Sequence, residues 1–201
     1  MYRDGKQYDS MCMLARDIYI DYDIKGFPLD VASVCKNLGI SLVKYGEYPE
    51  GERNLLKKRS MSSFYVPPTI DSPPTIFYNN NLNDVESEGN LRRNIFHELK
   101  HYACGDTEEI PEDDDLADYF GKYFLAPIPY LIVKKITNEN QIMSEFGVDS
   151  TMASFIRKNI RNRIVKYGNK IFDYEKPLLH HLLGDDYNLY VSDSDERSDA
   201  N

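Results

Sequence analysis

Two histidines and a glutamate stand together in the segment Ile95-Phe96-His97-Glu98-Leu99-Lys100-His101-Tyr102. On a helix, residues four apart project from one face, so His97 and His101 can bind the same tetrahedral zinc ion. Glu98 is then placed to act as a general base toward the attacking water in the hydrolysis of a peptide bond. An ordinary surface helix is the alternative, but this HExxH pattern is improbable in a chain with only four histidines. The segment therefore predicts hydrolytic zinc chemistry.

A catalytic zinc ion usually has three protein ligands, so a third must come from elsewhere in the chain. The metzincin pattern requires glycine and histidine where this chain has Cys104 and Thr107, which excludes that class. An acidic ligand from the next helix fits better, because Asp114 and Asp118 lie one helical turn apart. We predict that Asp114 binds the metal and that Asp118 accepts the free ring N–H of a ligating histidine.

Other roles for these candidates stay open at this point. Asp114 can instead belong to an acidic helix start that the helix dipole favours, and a neighbouring acid can be the ligand. The thiolate of Cys104 is a further possible ligand, although a single cysteine in a helix is usually a core residue. His180 and His181 are adjacent, so they point to different sides of a helix and are expected to be packing or surface residues.

Hydrophobic periodicity and turn residues predict the elements that must position these side chains. Helices are predicted near residues 8–24, 28–38, 92–104, 113–125, 139–146 and 150–167, and strands near 40–45, 61–66 and 75–79. The polar stretch 46–60 is predicted to be a loop. We therefore expect an α+β fold with N-terminal helices, a sheet of about three strands, a HExxH zinc-helix core and a C-terminal helix-turn-helix-like region.

The composition of the chain limits the class of protein to which it can belong. The 201 residues are enough for one sizeable domain, and a net charge of −9 argues against a nucleic-acid surface over the whole chain. The N-terminal region has neither the apolar core of a signal peptide nor a membrane-spanning run. Three widely separated cysteines fit a reducing compartment, so we expect a cytoplasmic protein with no membrane partner. The last ten residues are polar enough to be disordered.

One stretch near the C-terminus is locally basic and supports a rival interpretation. No acidic residue occurs between Phe155 and Ile171, a stretch that contains Arg157, Lys158, Arg161, Arg163, Lys166 and Lys170. Such a helix could contact DNA phosphates and base edges, which would make the chain a zinc-containing DNA-binding or sensor protein without proteolytic activity. It could equally be an amphipathic helix that packs on the catalytic domain or binds a repressor.

Three blocks of the sequence resemble the ImmA/IrrE family of zinc metallopeptidases, over roughly residues 8–165. The blocks are Gly26-Phe27-Pro28-Leu29-Asp30-Val31 with Leu38-Gly39-Ile40, the zinc segment Arg93 to His101, and Ala117-Asp118-Tyr119-Phe120 with Phe124-Leu125-Ala126-Pro127. Two positions depart from the family pattern, which usually has glycine at Lys100 and glutamate at Asp114. Lys100 is expected to point away from the metal. The shorter Asp114 requires either closer helices or a different acidic ligand.

The resemblance implies one Zn²⁺ per chain and an endopeptidase. From the pattern of elements we expect a metallopeptidase domain at 1–130, a helix-turn-helix-like region at 131–170 and a partly disordered C-terminal tail at 171–201. Family members inactivate helix-turn-helix repressors, often for mobile elements or stress responses, so we expect a repressor as the protein substrate and relief of repression as the outcome. An extended peptide could pair with an exposed strand edge, for which 75–79 is the candidate. Tyr102 and Arg93 are possible contacts for the substrate or the oxyanion.

Overall fold

The computed structural model describes residues 5–107 and 114–190, and the chain divides into two compact units. The first unit comprises the residues up to Tyr8 together with Leu29–Leu125, and the second comprises Asp9–Pro28 together with the chain from Ala126 onward. The predicted α+β class is confirmed, as a mostly helical fold with a small three-stranded mixed sheet. The domain boundaries at 130 and 170 stay a prediction. Within the described ranges, none of the helices is both long enough and apolar enough to cross a membrane.

The described helices and strands follow one another in a fixed order. The helices are α1 Gly5–Asp21, α2 Val31–Asn37, α3 Glu50–Arg59, α4 Leu82–Val85, α5 Glu88–Cys104, α6 Asp114–Leu125, α7 Ile128–Val133, α8 Glu139–Phe146, α9 Ser150–Tyr167 and α10 Lys176–Leu183. The strands are β1 Ser41–Lys44, β2 Ser63–Val66 and β3 Thr75–Tyr78. The disordered tail predicted for the last ten residues lies outside the described residues, as does part of the acidic stretch before α6.

The sheet of the first unit has the order β1-β3-β2, with β1 parallel and β2 antiparallel to β3. The prediction that 75–79 offers an exposed edge is therefore wrong, because β3 is the central strand and is paired on both sides. Strand β2 lies at one edge instead, where it pairs with β3 from Ser63 opposite Tyr78 to Val66 opposite Thr75. Hydrophobic patterning finds short strands, but it does not reveal their order in the sheet.

Helix α3 corrects the predicted loop at 46–60. None of its residues is buried, so it has no apolar face from which periodicity could identify it. Its charges instead favour a helix, since Glu50 and Glu52 lie in the first turn while Lys57, Lys58 and Arg59 lie in the last. This arrangement complements the helix dipole at both ends. Three further short helices, α4, α7 and α10, were also missing from the prediction.

The second unit contains the pair of helices with helix-turn-helix spacing. Helix α8 ends at Gly147, which has a left-handed conformation, and α9 begins after Asp149, whose side chain accepts a hydrogen bond from the backbone N–H of Met152. Ile142, Phe146, Met152 and Ile156 are buried. A buried ion pair joins the side of α9 to the chain before α10, where Arg163 Nη2 lies 2.9 Å from Glu175 Oε2.

Helices α5 and α6 form the hydrophobic centre of the first unit. Helix α5 begins after Ser87, whose hydroxyl accepts a hydrogen bond from the backbone N–H of Asn90. Phe96 on α5 packs against Phe124 on α6 with ring centroids 4.9 Å apart, and both side chains are fully buried. The helices are in close contact at Gly121, where an added Cβ would lie 2.9 Å from Arg93 O and 3.0 Å from His97 N.

We predict that Gly121→Ala lowers the free energy of unfolding by about 1–3 kcal/mol, because the new methyl group overlaps with the backbone of α5. Gly51→Ala is a matched control, since a Cβ at that position in α3 meets nothing within 4 Å. The control should be neutral or slightly stabilising because alanine favours the helix. Denaturant unfolding of both variants measures the effect, and equal stability of Gly121→Ala and the wild type would contradict the close approach.

Candidate metal centre

Three side chains of the first unit converge as a candidate metal-binding group. His97, His101 and Asp114 each offer one ligand atom, and these atoms all lie within 4.8 Å of one another. His97 Nε2 and Asp114 Oδ1 are 3.2 Å apart. Metal bonds of about 2.0–2.2 Å in a tetrahedral site place neighbouring ligand atoms about 3.3 Å apart, so this separation fits a shared ion. Two imidazoles and a carboxylate suit Zn²⁺ and also other first-row divalent metals.

The second nitrogen of His97 has a carboxylate partner on α6. His97 Nδ1 lies 3.1 Å from Asp118 Oδ1, so a ring N–H at Nδ1 can donate to that oxygen and leave Nε2 free for a metal. Burial disfavours the charged imidazole, but the hydrogen bond to Asp118 and the nearby carboxylates outweigh burial and raise the pKa of His97. The structure thus brings Asp118 to the position that the sequence predicted for it.

Asp118 is in turn held by a cation from α5. Arg93 Nη1 lies 2.5 Å from Asp118 Oδ1. Burial raises the pKa of the Asp118 carboxyl, but the hydrogen bond from His97 and the charges of Arg93 and Lys122 outweigh burial and lower this pKa to about 2. Asp118 therefore stays ionised at neutral pH and can orient the imidazole of His97 as a carboxylate.

Asp106 gives His101 a matching partner that the sequence analysis did not identify. Its Oδ2 atom lies 2.9 Å from His101 Nδ1 and 2.8 Å from Lys100 Nζ. Lys100 is only 3% exposed, so its ammonium group is buried against this carboxylate. Burial opposes ionisation of Asp106, but the hydrogen bonds from Lys100 and His101 lower its pKa. Each candidate histidine ligand is thus oriented through Nδ1 by an aspartate.

The geometry of the helix end explains how Asp106 reaches His101. Gly105 adopts a left-handed conformation with φ of 68°, and its N–H donates to the carbonyl of Tyr102. The N–H of Asp106 donates to the carbonyl of His101 at 2.9 Å, which turns the chain back toward the helix. An aspartate directly after a helix-ending glycine is the sequence signal that could have identified this residue.

Glu98 projects from α5 into the same site. Only 5% of the residue is exposed, and the hydroxyl of Ser63 on β2 donates to its Oε1 atom at 2.9 Å. Ser63 thereby fixes one carboxylate oxygen of Glu98. The side chain lines the same cavity as the metal-binding group, so a carboxylate is available there for proton transfer.

The cavity has a volume of about 450 Å³ and lies within the first unit. Its walls consist of polar and charged residues, namely Arg59, Ser60, Ser62, Ser63, Arg93, Asn94, His97, Glu98, His101, Asp114 and Asp118. Helix α5 and the start of α6 supply the candidate ligands. The segment from the end of α3 to the start of β2 supplies Arg59, Ser60, Ser62 and Ser63. Arg59 and the serines were not predicted as site residues.

The remaining candidates occupy different positions. Arg93 lines the cavity, whereas Tyr102 is not among the lining residues, and its hydroxyl donates to the carbonyl of Leu38. Cys104 is exposed and lies outside the metal-binding group found among the described residues. In the second unit, His180 stacks on Tyr187, and His181 Nε2 lies 3.0 Å from the carbonyl of Ile24. The two histidines therefore have packing and hydrogen-bonding contacts, as expected.

Comparison of the chain with protein-family models, with curated proteins and with solved structures gives no match. The candidate site is therefore characterised by its own geometry. That geometry comprises three potential metal ligands, two aspartates that orient the histidines, and a buried glutamate beside them.

We predict that Asp114→Ala weakens Zn²⁺ binding by more than about a hundredfold, because removal of an outer-shell partner alone typically costs about ten- to a hundredfold. Asp115→Ala is the control, since Asp115 is also exposed on the first turn of α6 but does not line the cavity. Competition titration with a chromogenic chelator measures both affinities. Equal affinity of Asp114→Ala and Asp115→Ala would remove Asp114 from the ligand set.

We also predict that Asp106→Asn weakens Zn²⁺ binding by about ten- to a hundredfold, because the amide no longer orients His101 as a charged acceptor. The same substitution leaves the buried Lys100 without its carboxylate, so stability must be measured separately. Lys100→Met with Asp106→Asn removes that unpaired charge while the metal site keeps the altered orienting group. Wild-type zinc affinity in this folded double variant would contradict the role assigned to Asp106.

Proposed function

We propose that this chain is a zinc-dependent endopeptidase that hydrolyses a peptide bond in a protein substrate. The observation that carries the proposal is the position of Glu98, a buried carboxylate that shares one cavity with His97, His101 and Asp114. A hydrolase of this type needs a metal-binding group with a base beside it. In this chain the two histidines and the base lie on α5, and Asp114 comes from α6. The resemblance to the ImmA/IrrE family supports a helix-turn-helix repressor as the substrate, with relief of repression as the result.

A bound zinc ion would polarise the peptide carbonyl and lower the pKa of a water molecule toward about 7. The residues of the chain supply the remaining functions. His97, His101 and Asp114 would hold the ion, and Asp118 and Asp106 keep the Nδ1 atoms of the two imidazoles engaged so that the Nε2 atoms remain free to bind it. Glu98, fixed by Ser63, would accept a proton from water and deliver it to the leaving amine. Arg93 lines the cavity and can help to neutralise negative charge there.

The edge position of β2 supports a path for an extended substrate. Within the described residues β2 is paired only with β3, and its first residue, Ser63, reaches both the cavity and Glu98. A peptide that adds to this edge would pass directly beside the candidate base. This arrangement replaces the edge that the sequence analysis expected at 75–79.

DNA binding by α9 is the second candidate function. Arg157, Lys158 and Arg161 are exposed along this helix, which follows the left-handed turn at Gly147. Arg157 Nη1 forms an ion pair with Glu139 at 3.2 Å, which reduces the charge that remains available for phosphates. The peptidase proposal is favoured because its residues form a complete constellation, whereas an exposed basic helix has many roles.

We predict that Glu98→Gln lowers the cleavage rate by about 10²- to 10⁴-fold, because the amide cannot accept the proton. Zinc affinity should stay close to that of the wild type, since Glu98 is not a ligand. Glu88→Gln, on the exposed first turn of the same helix, is the control and should retain activity. The assay is mass spectrometry of a helix-turn-helix repressor encoded next to the gene, incubated with the zinc-loaded protein.

Undiminished cleavage by Glu98→Gln would contradict the peptidase mechanism. Absence of cleavage by the wild type, together with tight DNA binding that weakens steeply as salt is raised, would favour the second candidate. The two functions are thus separated by the dependence on Glu98 and by the dependence on ionic strength.

A further inference from the structure

The residues that line the cavity come from two parts of the chain. Helices α5 and α6 carry the candidate metal ligands and the base. The segment from the end of α3 to the start of β2 contributes Arg59, Ser60, Ser62 and Ser63. Every residue that lines the cavity is polar or charged. A substrate group that enters the cavity therefore replaces its hydrogen bonds to water with hydrogen bonds to the protein, not with apolar contacts. The walls therefore select for a polar or charged group.

The two arginines of this cavity differ in how their charges are compensated. Arg93 donates to Asp118 at 2.5 Å, so its charge already has a carboxylate partner. Arg59 has no ion pair within the described parts of the chain. Its guanidinium carbon instead lies 4.0 Å from the centroid of the Phe64 ring. Arg59 is thus a cation on the cavity wall that lies over a ring and has no acidic partner among the residues that the structure describes.

The guanidinium carbon of Arg59 lies over the Phe64 ring, and within the described residues the N–H groups of Arg59 have no hydrogen-bond acceptor. The N–H donors of a guanidinium lie in one plane, where they match the two oxygens of a carboxylate. The serine hydroxyls beside it can add hydrogen bonds to the same ligand. Among common substrate groups, a carboxylate fits this combination of charge and donors best.

We propose that Arg59 is a specificity-determining residue that binds a carboxylate of the substrate, so that the enzyme acts on peptide bonds close to an acidic group. The inference rests on the proposed peptidase function and names the substrate class of the same cavity. The carboxylate can come from an aspartate or glutamate side chain or from the C-terminus of the substrate. Both sources present the same planar anion to the guanidinium.

The neighbouring Lys58 provides a matched control. It is exposed, carries the same charge in the last turn of α3 and does not line the cavity. A general effect of helix charge or of long-range attraction would therefore be reduced by Lys58→Gln as much as by Arg59→Gln. A direct contact with the ligand would be lost only in Arg59→Gln.

The test measures binding, so that it does not depend on turnover. The probes are hydroxamate dipeptides, which anchor on a zinc ion through the hydroxamate and carry either Glu or Gln, each with a C-terminal amide. A third probe has two neutral residues and a free C-terminal carboxylate. Calorimetry gives the Kd of each probe for the zinc-loaded full chain and for both variants.

We expect the wild type to bind the Glu probe or the free-carboxylate probe about tenfold more tightly than the Gln probe, because a charge-assisted hydrogen bond at an exposed site is worth about that factor. Whichever acidic probe shows the preference identifies the source of the carboxylate. The preference should disappear in Arg59→Gln and persist in Lys58→Gln.

Equal binding of acidic and neutral probes by the wild type would overturn the proposal. A preference that survives in Arg59→Gln, or failure of every probe to bind, would also overturn it. Failure of the peptidase function has a different signature, namely binding of the probes without any Glu98-dependent cleavage of proteins or peptides.

Discussion

The close contact between α5 and α6 at Gly121 is the constraint on which the candidate site depends. An added Cβ at this position would meet the backbone of Arg93 and His97, so the two helices can approach to this distance only with glycine there. Because the helices are so close, Asp114 reaches His97 despite its short side chain. A glutamate at the same position would be one methylene longer. The short side chain of Asp114 and the close packing of the helices therefore belong together, because the packing lets this carboxylate reach His97.

The buried side chain of Lys100 also has a structural role beside the candidate site. A buried ammonium group is costly unless it is paired, and Lys100 is paired with Asp106, which also accepts from His101. The carboxylate is therefore ionised, and it holds the lysine and the histidine at the same time. Lys100 does not line the cavity, but it still contributes to the site. It belongs to the network that determines the orientation of a candidate metal ligand.

The sequence predicts those parts of the site that follow from helical spacing. His97, Glu98 and His101 lie on one helix, and Asp114 and Asp118 lie one turn apart on the next, so their relative directions follow from 3.6 residues per turn. Asp106 could not be derived in this way because its position depends on the left-handed turn at Gly105. The order of the strands in the sheet could not be predicted from the sequence either, because strand pairing joins residues that are far apart in the chain. Hydrophobic and helical patterning therefore predicts the candidate ligands better than it predicts the groups that orient them.

Arg59 and the serine residues of the cavity could not be predicted from the sequence either, for a different physical reason. Helix α3 buries none of its residues, and its last residue, Arg59, faces solvent and the cavity rather than the core. Hydrophobic periodicity detects residues that stabilise the fold, whereas a side chain that contacts a substrate gains its partner only on binding. Such residues leave no periodic signal in the sequence. They are recognised only when the structure shows that they line the same cavity as the candidate ligands and base. The candidate metal ligands can therefore be predicted from the sequence. Arg59, which we propose determines substrate preference, is recognised only from the three-dimensional arrangement of α3 and β2.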